Sequence, residues 1–138
     1  MKVVIDTNVL LMSLPRRSKF RPIFDGLLKG AYELVITEDI LQEYIEIIGQ
    51  KTTGSIAQNL AELLMKLQNV EKAEVYFRWQ LIEADPDDNK FVDCAISASV
   101  EWLVTNDKHF SVLKQVDFPA VPLTDAEGFL AEVERLLR

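Results

Sequence analysis

Four acidic residues lie in four separate segments of the chain: Asp6 in KVVIDTNVL, Glu43 in ITEDILQEY, Asp88 in DPDDNKFVDCAISA and Asp107 in WLVTNDKHF. Asp6 and Asp107 follow short apolar runs of β type, while Glu43 and Asp88 lie in or open helix-like segments. Carboxylates gathered in one place repel one another and are stable as a cluster mainly around a divalent cation. The set points to a metal site, and through it to phosphodiester chemistry.

Each acid taken alone has an ordinary structural reading. Asp6 and Asp107 sit where a residue after a strand often caps the next helix. Glu43 falls on an amphipathic helix, where an acid is normally solvated, and Asp88 shares its turn with Asp85 and Asp87. The joint order of the four lifts the functional reading above any single one. A fifth acid, Asp93, lies inside the apolar run Phe91, Val92, Cys94, Ala95, Ile96, where a carboxylate is costly unless paired, hydrated or metal-bound. It follows Asp88 by five residues, about 140° around a helix. It is therefore expected to border the same site, and the third ligand's register stays open between Asp87, Asp88 and Asp93.

Other chemistries find less support. His109 is the only histidine, so neither a Ser-His-Asp triad nor a histidine-based metal site is indicated, and it reads as part of a surface turn after Asp107. Cys94 has no base partner in the sequence and reads as a small core residue. There is no glycine-rich phosphate loop, and Asn8 stands where a phosphatase of the haloacid-dehalogenase type needs a second aspartate.

The elements that must position these acids alternate between strand and helix. Val3–Ile5 is β-branched and suits a strand buried on both faces, and Asp6-Thr7-Asn8 follows as turn and cap. Residues 15 to 22 read as a basic, Pro-flanked loop carrying Arg16, Arg17, Lys19 and Arg21, and Gly30 ends the helix after it. Glu33–Ile36 is a second strand, and Thr37 caps a helix from about Glu38 to Ile48. Residues 55 to 67 form the clearest amphipathic helix, and 70 to 84 are the least readable stretch, with Val75, Tyr76, Phe77 and Trp79 fitting strand, helix or interface. Asp85–Asp88 is a turn opening a buried helix, Trp102–Thr105 a third strand, and Val121 an added edge strand. Thr124 and Glu127 fit a capping box for a last helix through Leu137. Strands separated by helices indicate an α/β three-layer sandwich with a mainly parallel central sheet. Ligands bind beyond the carboxyl ends of such strands, where Asp6 and Asp107 fall.

At 138 residues, 49% hydrophobic and 27% charged, the chain fits one globular domain spanning 1–138. The lone cysteine excludes an intrachain disulfide and suits a reducing compartment. No stretch resembles a signal peptide or approaches the roughly 20 apolar residues of a membrane span, so the expectation is a cytoplasmic protein with no membrane partner. A net charge of −7 weighs against nucleic acid. The four candidate ligands carry much of that charge, however, and a bound cation would reverse the local field.

With these residues placed, the chain resembles the PIN domain, specifically the toxin-like ribonucleases (VapC-like) of prokaryotic toxin–antitoxin systems. The resemblance rests on VVIDTNVL, TEDILQEY, DPDDNKFVDCAISA and LVTNDKHF in this order. It implies a PIN-like, Rossmann-like sheet and a Mg²⁺- or Mn²⁺-dependent ribonuclease acting on RNA, with an antitoxin protein as partner and often a homodimer. Carried over by position, Asp6, Glu43, Asp88 and Asp107 become the catalytic acids, with Asp6, Asp88 and Asp107 as metal ligands and Glu43 binding directly or through water. Thr7, Asn8 and Thr105 match the small polar residues that support such sites, with Asp93 beside them. The rival from another class is a PIN-fold module that binds a partner protein or RNA and cleaves little. A DNA nuclease of the flap-endonuclease type would need extra DNA-holding elements for which the chain is too short.

Overall fold

Short β-branched runs can be buried on both faces only if helices cover the sheet from either side, and Val3, Val4 and Ile5 are each fully buried. The computed structural model, which describes residues 1–138, arranges the chain as β1 (Lys2–Ile5), α1 (Thr7–Ser13), α2 (Arg21–Leu28), β2 (Glu33–Ile36), α3 (Glu38–Lys51), α4 (Gly54–Lys66) and β3 (Val70–Lys72). There follow α5 (Asn89–Ala98), β4 (Trp102–Val104), β5 (Leu123–Thr124) and α6 (Ala126–Leu136), with 3-10 turns over Pro86–Asp88 and Lys108–Gln115. The five strands form one sheet in the order β3-β2-β1-β4-β5, and every pairing is parallel. This is the expected three-layer α/β arrangement, with 34 buried apolar residues joined in one core.

The strand order decides where a site can form. After β1 the chain crosses to β2 on one side, and much later it returns to place β4 on the other, in register Val3↔Trp102 through Ile5↔Val104. A crevice opens at such a reversal, beyond the carboxyl ends of the two strands. The Asp6 amide still donates to the Val104 carbonyl at 2.9 Å, so Asp6 sits where the ladder ends.

Several boundaries differ from the sequence reading. The basic loop is shorter than residues 15 to 22, because Pro22 lies in the first turn of α2, where its missing amide costs nothing. Gly30 has φ of 74°, the left-handed conformation that ends a helix. Residues 70 to 84 contain strand β3, hidden in sequence because Val70 is followed by Glu71 and Lys72 at an exposed edge. Beyond it, residues 73 to 82 run without regular structure beside α5, tied to it at three points. Ser97 Oγ donates to the Glu74 carbonyl at 3.2 Å, the Trp79 amide donates to Asp93 Oδ1 at 3.0 Å, and Asn89 exchanges two hydrogen bonds with Ile82. The added edge strand is Leu123–Thr124 rather than Val121. Because Thr124 is in that strand, Asp125 becomes the cap of α6, its carboxylate accepting from the Gly128 amide at 2.8 Å.

Helix α3 carries Glu43, and its seat over β1 is set by the next residue. Tyr44 is 1% exposed, and its hydroxyl donates to the Ile5 carbonyl at 2.5 Å. Removing that donor strands a buried carbonyl, a loss of about 1–3 kcal/mol. Tyr44→Phe is therefore expected to lower the unfolding free energy by that amount in urea melts. An unchanged midpoint would mean that the bond does not hold α3 in place.

Candidate metal centre

Asp6 occupies the cap position of α1, in extended conformation, yet its side chain makes no capping hydrogen bond. The ordinary reading of an aspartate after a strand thus fails here. Its Oδ2 accepts from the hydroxyl of Thr105 at 2.8 Å instead. Thr105, the residue after β4, accepts the Asp107 amide on the same oxygen at 3.0 Å. One threonine therefore orients the acids that follow both strands. The loop bearing them is anchored on its far side, where Asn106 Oδ1 accepts from the Ala126 amide at 2.8 Å.

Glu43 reaches the same edge from α3. Its Oε2 accepts from the Thr7 hydroxyl, and its Oε1 pairs with Lys90 Nζ at 2.8 Å. The sequence marks Lys90 only by its place, two residues after Asp88 at the start of α5 and so at the same end of that helix. Asn8 is exposed on the first turn of α1 and hydrogen-bonds to none of the acids.

Among the three adjacent candidates for the third acid, the 3-10 turn turns Asp88 inward and leaves Asp87 exposed. Asp88 is 9% exposed, and its Oδ2 is buried with no hydrogen-bond partner. Asp93 is placed differently, accepting the Trp79 amide farther along α5. It lines a groove of about 1080 Å³ between α5, the 73–83 segment and the start of α3. His109 lies in the exposed turn expected of it, but its Nδ1 stands 3.5 Å from Asp107 Oδ1 and 3.7 Å from Asp88 Oδ2.

The electrostatics follow from this crowding. Burial raises the pKa of Asp6, and the charges of Glu43 and Asp107 push it further, against the lowering effect of the Thr105 hydroxyl. Burial also raises Asp88, from an ordinary 3.8 to about 7, with added repulsion from Asp85, Asp107 and Asp6 that His109 partly offsets. Asp6 thus feels the charges of Glu43 and Asp107, and Asp88 those of Asp107 and Asp6. Their donors are all carboxylate oxygens, the set that hard divalent cations take. The unpartnered oxygen of Asp88 is a buried acceptor without a donor, so these residues fit such an ion.

The PIN domain family model matches residues 2–109. No curated protein matches the chain by sequence. Among solved structures, the chain is similar to one from the crystal structure of VapBC2 from Rickettsia felis bound to a DNA fragment from their promoter. The two are 17% identical with a TM-score of 0.61, covering 91% of this chain and 98% of that one. At that identity the likeness concerns the fold.

A carboxyl group with a raised folded-state pKa holds its proton more tightly folded than unfolded. Its contribution to stability is complete below the ordinary value of 3.8 and lost as pH rises to about 7. In metal-free solution, Asp88→Asn is therefore expected to be more stable than wild type at about pH 8, by on the order of 1 kcal/mol. That advantage should shrink toward about pH 4. Urea melts at several pH values read it directly, and a constant difference between the two proteins would contradict the burial of this charge.

Proposed function

Because the chain belongs to the PIN domain family, we propose that it is a metal-dependent ribonuclease that hydrolyses RNA phosphodiester bonds as the toxin of a toxin–antitoxin pair. The observation that supports this reading is the burial of Asp6 and Asp88 near the reversal of strand order, where Asp6 feels the charges of Glu43 and Asp107 and Asp88 those of Asp107 and Asp6. Structural neutrality would not select such a set, since each charge raises the cost of the others.

Asp6, Asp88 and Asp107 are the proposed ligands of Mg²⁺ or Mn²⁺, with Glu43 acting directly or through water. When bound, the ion lowers the pKa of a water and offsets charge on the phosphate. Thr105 fixes the rotamer of Asp6 and the start of the Asp107 turn, so two ligands keep their relative position. Thr7 and Lys90 each hold one oxygen of Glu43, which orients that carboxylate toward the shared crevice. Lys90 also places a positive charge at the rim, where a substrate phosphate must approach. The VapBC2 likeness supports an antitoxin as partner, and a homodimer is part of the same proposal. No helix is long and apolar enough to cross a membrane.

A second reading rests on an exposed aromatic cluster. Phe77 and Trp79 lie 4.7 Å apart and Trp79 and Phe118 6.1 Å apart, between ring centroids, and Phe118 is 83% exposed. Such a surface suits a partner protein, so the chain could bind without cleaving. Incubation of single-stranded RNA with Mg²⁺ or Mn²⁺ separates the two. Wild type is expected to cleave, and Asp6→Asn to lose roughly 100-fold or more of that activity while melting cooperatively. Undiminished cleavage by Asp6→Asn would sink the assignment. No cleavage, together with no Mn²⁺-induced rise in melting temperature, would favour the binding module.

A further inference from the structure

We infer that Asp85, Asp88 and His109 form a further cation position, beside the four-acid cluster and sharing Asp88 with it, that takes a borderline first-row dication such as Zn²⁺ in preference to Mg²⁺. Asp85 caps the 3-10 turn Pro86–Asp88, its Oδ1 accepting the Asp87 amide at 3.2 Å, and Asp88 ends that turn, so the two carboxylates flank it. His109 is brought over them by the separate turn that Asp107 caps, where Asp107 Oδ1 accepts the His109 amide at 2.9 Å.

One ligand atom from each of the three residues lies within 4.8 Å of the others. Ligands around an ion at about 2.1 Å stand no more than about 4.2 Å apart, so small side-chain rotations close the shell. One observation indicates that something belongs between them: Asp88 is nine-tenths buried, and its Oδ2 has no hydrogen-bond partner. His109 Nδ1 stands 3.7 Å from that oxygen, too far to hydrogen-bond to it, and 3.5 Å from Asp107 Oδ1. The 3.7 Å separation matches an ion bridging nitrogen and oxygen.

The imidazole distinguishes this position from its neighbour. The four-acid set offers oxygen alone and suits Mg²⁺, whereas a histidine with carboxylates favours Zn²⁺ and other first-row ions. Occupancy depends on these three side chains and not on whether the neighbouring cluster cleaves RNA. Sharing Asp88 makes the ion held here a direct neighbour of that cluster, so its presence would set the charge that Asp88 presents there.

The single histidine supplies a clean readout. Zn²⁺ added to the full chain is expected to shift the ¹⁵N resonance of His109 Nδ1 by direct coordination at about one equivalent, and Mg²⁺ in excess, held by the neighbouring carboxylates alone, to shift it far less. Asp6→Asn should retain the Zn²⁺ shift, whereas Asp85→Ala should lose it. Calorimetry should count one fewer Zn²⁺ in His109→Ala, an exposed substitution that leaves the core intact, than in wild type. A resonance that Zn²⁺ does not move, or equal Zn²⁺ counts in wild type and His109→Ala, would overturn the inference. Failure of RNA cleavage with the Zn²⁺ shift preserved would sink only the ribonuclease reading.

Discussion

Negative charge is concentrated where β1 and β4 end, and much of the polar structure around that edge answers the cost of keeping it there. Asp6 and Asp88 lose most of their hydration, and each meets the field of other carboxylates. In a medium less polar than water, such repulsion would drive the loops apart or protonate the acids. Here the acids are held by neighbours that cannot easily move. Thr105 belongs to the strand end itself, Tyr44 fastens α3 to the last residue of β1, and Asn106 ties the β4 loop to α6. The sheet supplies the rigidity that the charges by themselves oppose.

Two of the four acids rest on side chains from a distant part of the chain, Asp6 on Thr105 and Glu43 on Thr7 and Lys90. Asp107 is tied locally, its backbone amide donating to Thr105 two residues away. The inward oxygen of Asp88 has no donor at all. A buried acceptor left open is costly unless a ligand completes it. Its place between the four-acid cluster and the Asp85–His109 pair makes it the residue through which both cation proposals meet.

Segment 73–82 shows how irregular backbone can be held without a ladder. Three side chains of α5 take up its polar groups along their length, including the otherwise awkward Asp93. A carboxylate inside an apolar helix signals a specific partner. In this chain that partner is a backbone amide, and the aromatic residues of the same segment are left facing outward.

The alternation of apolar runs with caps and amphipathic helices was enough to specify an α/β sheet and to place Asp6 and Asp107 beyond strand ends, because both depend on local pattern and short-range chemistry. Gly30 and Thr37 were readable for the same reason, since helix ends carry their signals within a few residues. Strand β3 was not readable, because an exposed edge needs no apolar alternation and Glu71 and Lys72 gain their place by pairing with β2. Nor could sequence choose between Thr124 and Asp125 as a cap, which the pairing of β5 with β4 settles. Only the fold turned Asp88 inward rather than Asp87, set Asp93 on the Trp79 amide, and brought Lys90 and His109 to the acids. The contacts of Asp93, Lys90 and His109 join residues 14 to 47 positions apart, and no local pattern encodes which distant side chain will face a given carboxylate.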